Sequence, residues 1–305
     1  MTKRDYEWNT SGLGDAVKEA KRASLLKTVV TSLVVTASVI IAVYAAGSWM
    51  LQKKIESVGE LDMAIENVRG ANIEPGGSSY TYSFLTAVET RERQKIIEGI
   101  PISWGTISQT IYPVGDPQKQ VAVSAFGQVE SGSDQPVLYY NGERLMEFYH
   151  PQISYETLPD DRSLLEKLDS GKVAELGLSF DRPYTLEEIG DFLPGNPVWL
   201  WVDEGHSGEE ESMSISAESA AGFSLWKDQP AEDAASDFIA ALQFLKAKGQ
   251  ADELYQKLSK GENGLDPKDL RIIGAVVTGS TKDLEVFEDL PQIRAVTLGA
   301  TVDRY

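Results

Sequence analysis

The hydrophobic and polar positions divide the chain into one long apolar run near its start and a mixed remainder. Thr28 to Leu51 contains 24 residues and no charge. A helix of that length extends about 36 Å, against roughly 30 Å for the hydrocarbon core of a bilayer. A cleaved signal peptide is the alternative, but its apolar region is typically about 7–15 residues long. The pattern therefore predicts a single transmembrane helix at residues 28–51.

Basic residues flank the apolar run unevenly. Four precede it and two follow it: Lys18, Lys21, Arg22 and Lys27, then Lys53 and Lys54. Cytoplasmic flanks of membrane helices carry an excess of Lys and Arg, so this bias favours a cytoplasmic amino terminus. The much larger remainder of the chain is then predicted to lie outside the cell.

The segment before the apolar run has the pattern of a short amphipathic helix. Asn9, Thr10 and Ser11 are good helix starters, and Leu13 and Val17 follow on a thin apolar stripe. A helix of about 15 residues is marginal alone in water. The segment is thus either a simple basic anchor or a segment that folds on a partner. In the second case the predicted partner-binding residues are Tyr6, Trp8, Leu13 and Val17.

The residues after the apolar run change from a helical to a β-like pattern. Lys53 to Arg69 keeps a loose apolar stripe, which predicts a helical stalk that Pro75-Gly76-Gly77 ends. Asn141-Gly142 marks a β-hairpin between residues 139 and 148. Further strands are predicted at Ser78 to Arg91, Ile100 to Tyr112 and Gln120 to Val129.

An internal repeat lies in the carboxy-terminal half of the chain. At a constant offset of 97 positions, Gly177 aligns with Gly274 and Leu193-Pro194 aligns with Leu290-Pro291. Each copy reads as strand, turn, short helix and second strand, joined by a predicted helix at Ala231 to Lys248. Two such units predict a four-stranded sheet with helices on one face, as in a ferredoxin-like fold. Chance similarity is the alternative, since any two strand–helix–strand units share some periodicity.

Two features of this repeat resemble binding sites. Trp199 and Trp201 alternate on a strand and therefore point to one face, where packing against a helix is favoured over a ligand groove. Val277 to Lys282 has some character of a phosphate-binding loop, but its glycine spacing does not fit. This segment is predicted to be a strand-to-helix turn capped by Ser280 or Thr281.

Charge and composition narrow the chemistry further. The chain has a net charge of -19. Its first 27 residues hold six basic and four acidic side chains, so the remainder carries -21. An acidic body repels phosphate backbones, which argues against direct nucleic-acid binding. Without cysteine and with two histidines, the chain shows no nucleophile–base pair or zinc motif. We therefore expect no enzyme activity, no metal and no cofactor.

Three stretches of the sequence resemble one known family. Val173 to Gly205, VAELGLSFDRPYTLEEIGDFLPGNPVWLWVDEG, resembles the carboxy-terminal domain of the sigma factor regulator family of Gram-positive bacteria. GAVVTGSTKDLEVFEDLPQIRAVTLGATVD, at residues 274–303, is similar to the same domain. KEAKRASLLKTVVTSLVV, at residues 18–35, followed by one apolar span, is similar to the family's amino-terminal region.

The resemblance implies a membrane-bound anti-sigma factor. The tail would then hold an extracytoplasmic-function sigma factor at the membrane, and the external part would couple to a cell-envelope stress signal. A second membrane regulator is a further candidate partner. Many anti-sigma factors carry a His-Cys zinc motif in a larger cytoplasmic domain, and this chain lacks cysteine. The alternative is an extracytoplasmic ligand- or protein-binding module whose tail serves only as an anchor.

The predicted organisation is an α+β protein with a single transmembrane helix, an extracytoplasmic β-rich region and a duplicated βαβ, ferredoxin-like domain. The expected segments are a cytoplasmic tail, a transmembrane helix, a helical stalk, a β-rich region and a sigma-regulator C-terminal-like domain. Their bounds are residues 1–27, 28–51, 52–77, 78–170 and 171–305.

Overall fold

The structure is a computed structural model that describes residues 10–121, 126–129, 137–195, 197–205, 214–261, 264–287 and 289–304. Its first element is one unbroken helix, α1, at Thr10–Glu66. Neither proline nor a glycine pair interrupts this stretch, so the helix continues from the tail through the apolar run into the stalk. Within the described residues, α1 is the one helix long and apolar enough to cross a membrane, and its apolar window is entirely exposed.

The helix ends earlier than the sequence pattern predicted. It stops at Glu66, and Gly70 then adopts a positive φ of 100° that reverses the chain. Pro75-Gly76-Gly77 does not end the helix but lies in the first strand, where the register shifts between Pro75 and Ser78. A Cβ on Gly76 would lie 2.9 Å from the carbonyl oxygen of Glu92, so glycine permits the close approach of the two strands there.

The first sheet is an antiparallel meander of four strands. They are β1 at Glu74–Ser83, β2 at Thr86–Ile97, β3 at Ile100–Ile111 and β4 at Gln118–Val121. The single strand predicted at residues 78–91 is wrong, because β1 and β2 turn back on each other at Phe84-Leu85. Leu85 takes a positive φ of 52° in this turn, which has no Gly, Pro or Asn to reveal it in the sequence. The strand predicted at Ile100 to Tyr112 is confirmed as β3.

The next strands form small sheets. β5 at Phe126–Val129, β6 at Val137–Tyr140 and β7 at Glu143–Arg144 pair in order, so the strand predicted at 120–129 is divided between β4 and β5. The predicted Asn-Gly hairpin is confirmed, with positive φ at both Asn141 and Gly142. It is shorter than predicted, because β8 at Glu147–Phe148 leaves to pair with β11 at Ile215–Ser216.

The second sheet has five antiparallel strands in the order β12-β10-β13-β9-β14. The two strands of each repeat copy are therefore separated by one strand of the other copy. The sheet has one strand more than predicted, because β12 adds to the free edge of β10. The strands of this sheet are β9 at Lys172–Tyr184, β10 at Trp199–Val202, β12 at Gly222–Ser224, β13 at Ile272–Ser280 and β14 at Ile293–Asp303. The helices in this part of the chain are α2 at Arg162–Leu165, α3 at Leu186–Phe192, α4 at Ala231–Ala247, α5 at Asp252–Ser259 and α6 at Thr281–Leu284.

The two faces of the second sheet are covered differently. Helices α3, α4 and α6 share one buried core with the sheet, which confirms the predicted linking helix and its buried face. Trp199 and Trp201 lie on the other face, so their predicted packing against a helix is wrong. Their rings lie 5.8 and 5.1 Å from the ring of Phe148 in β8, and both are 1% exposed. Ser280 caps α6 by accepting from the amide of Asp283, as the strand-to-helix turn predicted.

Candidate functional site

The partner-binding residues predicted in the tail are described only in part. Tyr6 and Trp8 lie outside the described residues. Leu13 lies within α1, and Val17, on the same helix, is 49% exposed. The helix therefore presents Val17 to solvent, and the role predicted for these four residues stays a prediction. What the structure does describe is how the other end of the same helix is held.

The first attachment of α1 is to the turn between β1 and β2. The ring of Phe84 stacks on the ring of Tyr44 at a centroid distance of 5.8 Å and an interplanar angle of 28°. The side chain of Leu85 packs against Gly47, where an added Cβ would lie 2.6 Å from a Leu85 methyl carbon. Glycine at position 47 thus permits the hairpin to touch the helix inside the charge-free run.

The second attachment is an apolar strip along the next turns of the helix. Leu51, Ile55 and Val58 are buried against Ala87 of β2 and Ile111 of β3. These helix positions recur every three to four residues, so they lie on one face of α1. The first sheet therefore packs along the helix, beginning at the last residue of the charge-free run.

A buried ionic cluster forms the third attachment. Arg91 of β2 makes 3.0 Å ion pairs with Asp62 and Glu66 of α1 and with Glu89 of its own strand. Gln109 of β3 donates to Asp62 at 2.7 Å and to Glu89 at 2.6 Å. One planar guanidinium thus joins the helix to the sheet through three carboxylates, a geometry for which Arg is better suited than Lys.

The cluster contains more carboxylates than buried cations. The pKa of one of these carboxylates, Glu66, is shifted by its burial. Burial raises that pKa above its ordinary value of 4.5, against the opposing charge and hydrogen bond of Arg91. The Oε2 atom of Glu66 is buried without a hydrogen-bond partner. Glu66 therefore loses more hydration on folding than its single contact with Arg91 replaces.

This pKa predicts how stability depends on pH. Because the folded protein binds the Glu66 proton more tightly than the unfolded chain, the stabilisation from protonation is present below pH 4.5 and is lost as pH rises through the raised pKa. We expect Glu66→Gln to raise the free energy of unfolding at pH 7, with an advantage that vanishes towards pH 4. Urea unfolding of both proteins at several pH values measures this difference in the free energy of unfolding. Glu60→Gln, at an exposed position of α1, is the control and should show no such trend.

The last turn of α1 and the residues that follow it enter the core of the second sheet. Ala64 and Val68 are buried in the core that contains α4, and the carbonyl of Val68 accepts from the amide of Gly222 in β12 at 2.9 Å. Arg69 donates to the carbonyl of Ser219 at 2.5 Å and to the carboxylate of Glu204 at 3.3 Å. The stalk is therefore built into the last third of the chain.

A buried ion pair connects the two sheets. Lys95 of β2 lies 2.5 Å from Glu175 of β9, and neither side chain is exposed to solvent. Glu175 also accepts from the Asn72 side chain at 2.9 Å and from the amide of Ala300 at 3.1 Å, while the Lys95 ammonium lies 4.0 Å from the Trp104 ring centre. The two sheets and the helix are thus joined to one another through polar as well as apolar contacts.

Sequence reasoning missed these charged residues, although a signal for them was present. Glu89, Arg91, Arg93 and Lys95 alternate along β2 and so lie on one face of the strand. Charged side chains at a spacing of two in the middle of a sheet need counter-ions across an interface, since unpaired charges are not buried. Such a run could have indicated that β2 faces other charged elements.

Two cavities lie where the stalk meets the last third of the chain. One of about 560 Å³ is lined by residues including Ile65, Arg69, Glu204, Leu254 and Lys257. A second, of about 520 Å³, lies between α1 and α4. No group of three or more His, Asp or Glu side chains placed to hold a metal ion occurs in the part of the chain that the structure describes.

Comparison with known proteins gives one match, and it falls on the second sheet. Residues 165–300 match the family model described as "Sigma factor regulator C-terminal". The second sheet and its helices are therefore similar to the carboxy-terminal domain of sigma factor regulators, and we call residues 165–300 the regulator domain. No curated protein and no solved structure matches the chain. The family resemblance expected from the sequence is therefore confirmed for this domain.

The regulator domain includes both copies of the repeat, the linking helices and the core into which the stalk inserts. Its family is regulatory, which indicates an anti-sigma role and implies an interaction with a sigma factor. The match begins at residue 165, so the similarity of the tail and span to the family's amino-terminal region stays a prediction.

Proposed function

We propose that the protein is a membrane-anchored anti-sigma factor. Residues 1–27 form a cytoplasmic tail that sequesters an extracytoplasmic-function sigma factor, and residues 28–51 span the membrane. The first sheet and the sigma factor regulator C-terminal domain then lie outside and couple the tail to an envelope signal. The strand order, in which each repeat copy separates the strands of the other, supports a duplicated ferredoxin-like domain.

One observation carries this proposal. A single helix runs from Thr10 to Glu66 without a break, and its last turns are buried in the core of the regulator domain. A movement of that domain is therefore transmitted along a rigid element to Val17 and the tail. A regulator that senses on one side of a membrane and acts on the other needs such a connection.

The mechanism of sequestration follows from the tail's residue types. Tyr6, Trp8, Leu13 and Val17 supply the large apolar contacts that dominate interface energies. Basic residues just before the span place the tail near anionic lipid headgroups. A sigma factor held there has its polymerase-binding surfaces covered. Release requires a change in the tail, which α1 connects to the external domains.

The test is capture of sigma factors by the full-length protein in lipid nanodiscs. We expect wild type to retain one extracytoplasmic-function sigma factor from a panel, and Trp8→Ala/Leu13→Ala to bind it at least about tenfold more weakly. Trp226→Ala, which removes an exposed tryptophan of the regulator domain, is the matched control and should bind as wild type. Equal binding by wild type and the tail variant contradicts the proposal.

The second candidate function is an external ligand- or protein-binding module with the tail as an anchor only. The two cavities beside the stalk, of about 560 and 520 Å³, favour it, because small-molecule sites have volumes in this range. Replacing residues 1–27 by an unrelated basic leader separates the two functions. A sigma-dependent reporter that stays repressed with the foreign leader supports the anchor, whereas derepression supports the anti-sigma tail.

A further inference from the structure

The turn between β1 and β2 is unusually apolar for a surface loop. We call residues 82–85 the hairpin tip. Within it, Tyr82 is 60% exposed and Phe84 is 73% exposed. No charged residue occurs from position 75 to position 88, so the whole end of the hairpin lacks charge in a chain with a net charge of -19. Clustered exposed apolar side chains of this kind mark an interaction surface.

A second loop lies at the same end of the first sheet. Ala87 at the start of β2 is paired with Ile111 at the end of β3, so the loop that follows β3 lies beside the hairpin tip. Val114 in this loop is 74% exposed. The end of the sheet nearest the apolar run of α1 therefore presents three exposed apolar side chains: Tyr82, Phe84 and Val114.

The contacts of the hairpin tip with α1 fix its height along the helix. Phe84 stacks on Tyr44 and Leu85 packs on Gly47. Lys53 is the first charged residue after the apolar run. At about 1.5 Å per residue, these contacts lie about 9–14 Å before Lys53 along the helix axis. With Lys53 at the outer edge of the headgroup layer, which is about 5–8 Å thick on each side, this level lies among the outermost acyl-chain carbons just below the headgroups.

Aromatic side chains on the helix mark the same level. Tyr44 is 50% exposed and Trp49 is 65% exposed on α1, on either side of Gly47. Tyr and Trp are enriched at membrane–water interfaces, where the ring is buried and the polar group is hydrated. Helix and hairpin thus present aromatic rings at one common level along α1.

We propose that the hairpin tip and Val114 insert into the membrane interface on the Lys53 side, as a second membrane contact beside the span. The proposal rests on the membrane span of the proposed function. In this arrangement the first sheet stands on the bilayer, because its end is anchored in lipid and its side is packed along α1. The regulator domain is thereby held at a fixed height and rotation above the membrane.

The test uses the absence of cysteine from the chain, which allows single spin labels without background mutations. Full-length Phe84→Cys and Val114→Cys variants are labelled and placed in vesicles of phosphatidylethanolamine and phosphatidylglycerol. For each spin label, the collision rate with oxygen, which concentrates in lipid, is compared with the collision rate with a water-soluble nickel chelate. Val39→Cys, a 56% exposed site nearer the middle of the apolar run, reports the span, and Val286→Cys, a 51% exposed site of the regulator domain, reports water.

We expect the ratio of oxygen to nickel collisions at positions 84 and 114 to exceed that at 286 several-fold, while remaining below that at 39. Ratios at 84 and 114 equal to that at 286, with a lipid-like value at 39, would overturn the hairpin contact and leave the span intact. A low collision rate with both reagents at 84 would overturn the hairpin contact in favour of a contact with protein. A water-like value at 39 would overturn the span and the hairpin contact together.

Discussion

Replacing Lys95 by methionine is expected to lower the free energy of unfolding by about 3–5 kcal/mol, because it leaves a buried carboxylate without its counter-ion. Glu175 is fully buried, and its remaining donors in the variant are the neutral side chain of Asn72 and the amide of Ala300. Methionine fills most of the lysine volume, so lost packing contributes little. Urea unfolding of the full-length protein in detergent, followed by tryptophan fluorescence, measures the change.

The double variant Lys95→Met/Glu175→Gln is the control for this prediction. Both charges are then absent. The glutamine oxygen accepts from the amide of Ala300, and its NH2 group donates to the Asn72 oxygen once that side-chain amide rotates. We expect the double variant to recover most of the lost stability, since a neutral replacement of a buried pair is often tolerated. If the free energy of unfolding of Lys95→Met lies within about 1 kcal/mol of the wild-type value, solvent reaches Glu175 and the pair is not buried as described.

Arg91→Met is expected to separate the first sheet from the helix. Asp62, Glu66 and Glu89 would then share a site whose remaining cation is the half-exposed Lys119, 3.0 Å from Asp62. We expect a loss of about 3–5 kcal/mol, as for other broken buried ion pairs. The local effect should be faster hydrogen–deuterium exchange of backbone amides at residues 74–111, read by mass spectrometry, with the regulator domain less affected.

Lys119→Met is the matched control, because it removes a cation from the same cluster at a position whose side chain is 51% exposed. Exposed ion pairs contribute about 0–1 kcal/mol, so exchange over residues 74–111 should stay near that of wild type. Equal effects of the two variants would mean that the net charge of the cluster, and not the buried Arg91 contacts, holds the sheet to the helix.

The sequence predicted correctly those elements whose local pattern of apolar and polar residues reflects their burial. The α+β class and helix α4 follow from periodicities of 3.6 and 2.0 that local burial imposes, and the long apolar helix follows from 24 residues without a charge. Asn141-Gly142 marked its hairpin because both positions need a positive φ, which these residues tolerate. Leu85 also takes a positive φ, but leucine gives no such signal, so the β1–β2 turn was not predictable.

Long-range pairing was the part that local patterns did not contain. β12 joins the second sheet by pairing with Trp199 to Trp201, and three residues of strand are too few for an alternation to be recognised. Asp62 lies 29 positions from Arg91 in the chain, and Glu175 lies 80 positions from Lys95. Ion pairs across such distances depend on the packing of whole elements, which one sequence does not specify pair by pair.

The continuity of α1 has a consequence for the number of residues in its apolar run. Val17 and Asp62 are separated by 45 residues of one helix, which is about 12.5 turns, so the two side chains point in nearly opposite directions. Insertion of one residue between them would rotate the tail by about 100° relative to the first sheet, and insertion of seven would nearly restore it. The rotation between the two ends of α1, and not only its length, then limits which insertions and deletions the apolar run tolerates.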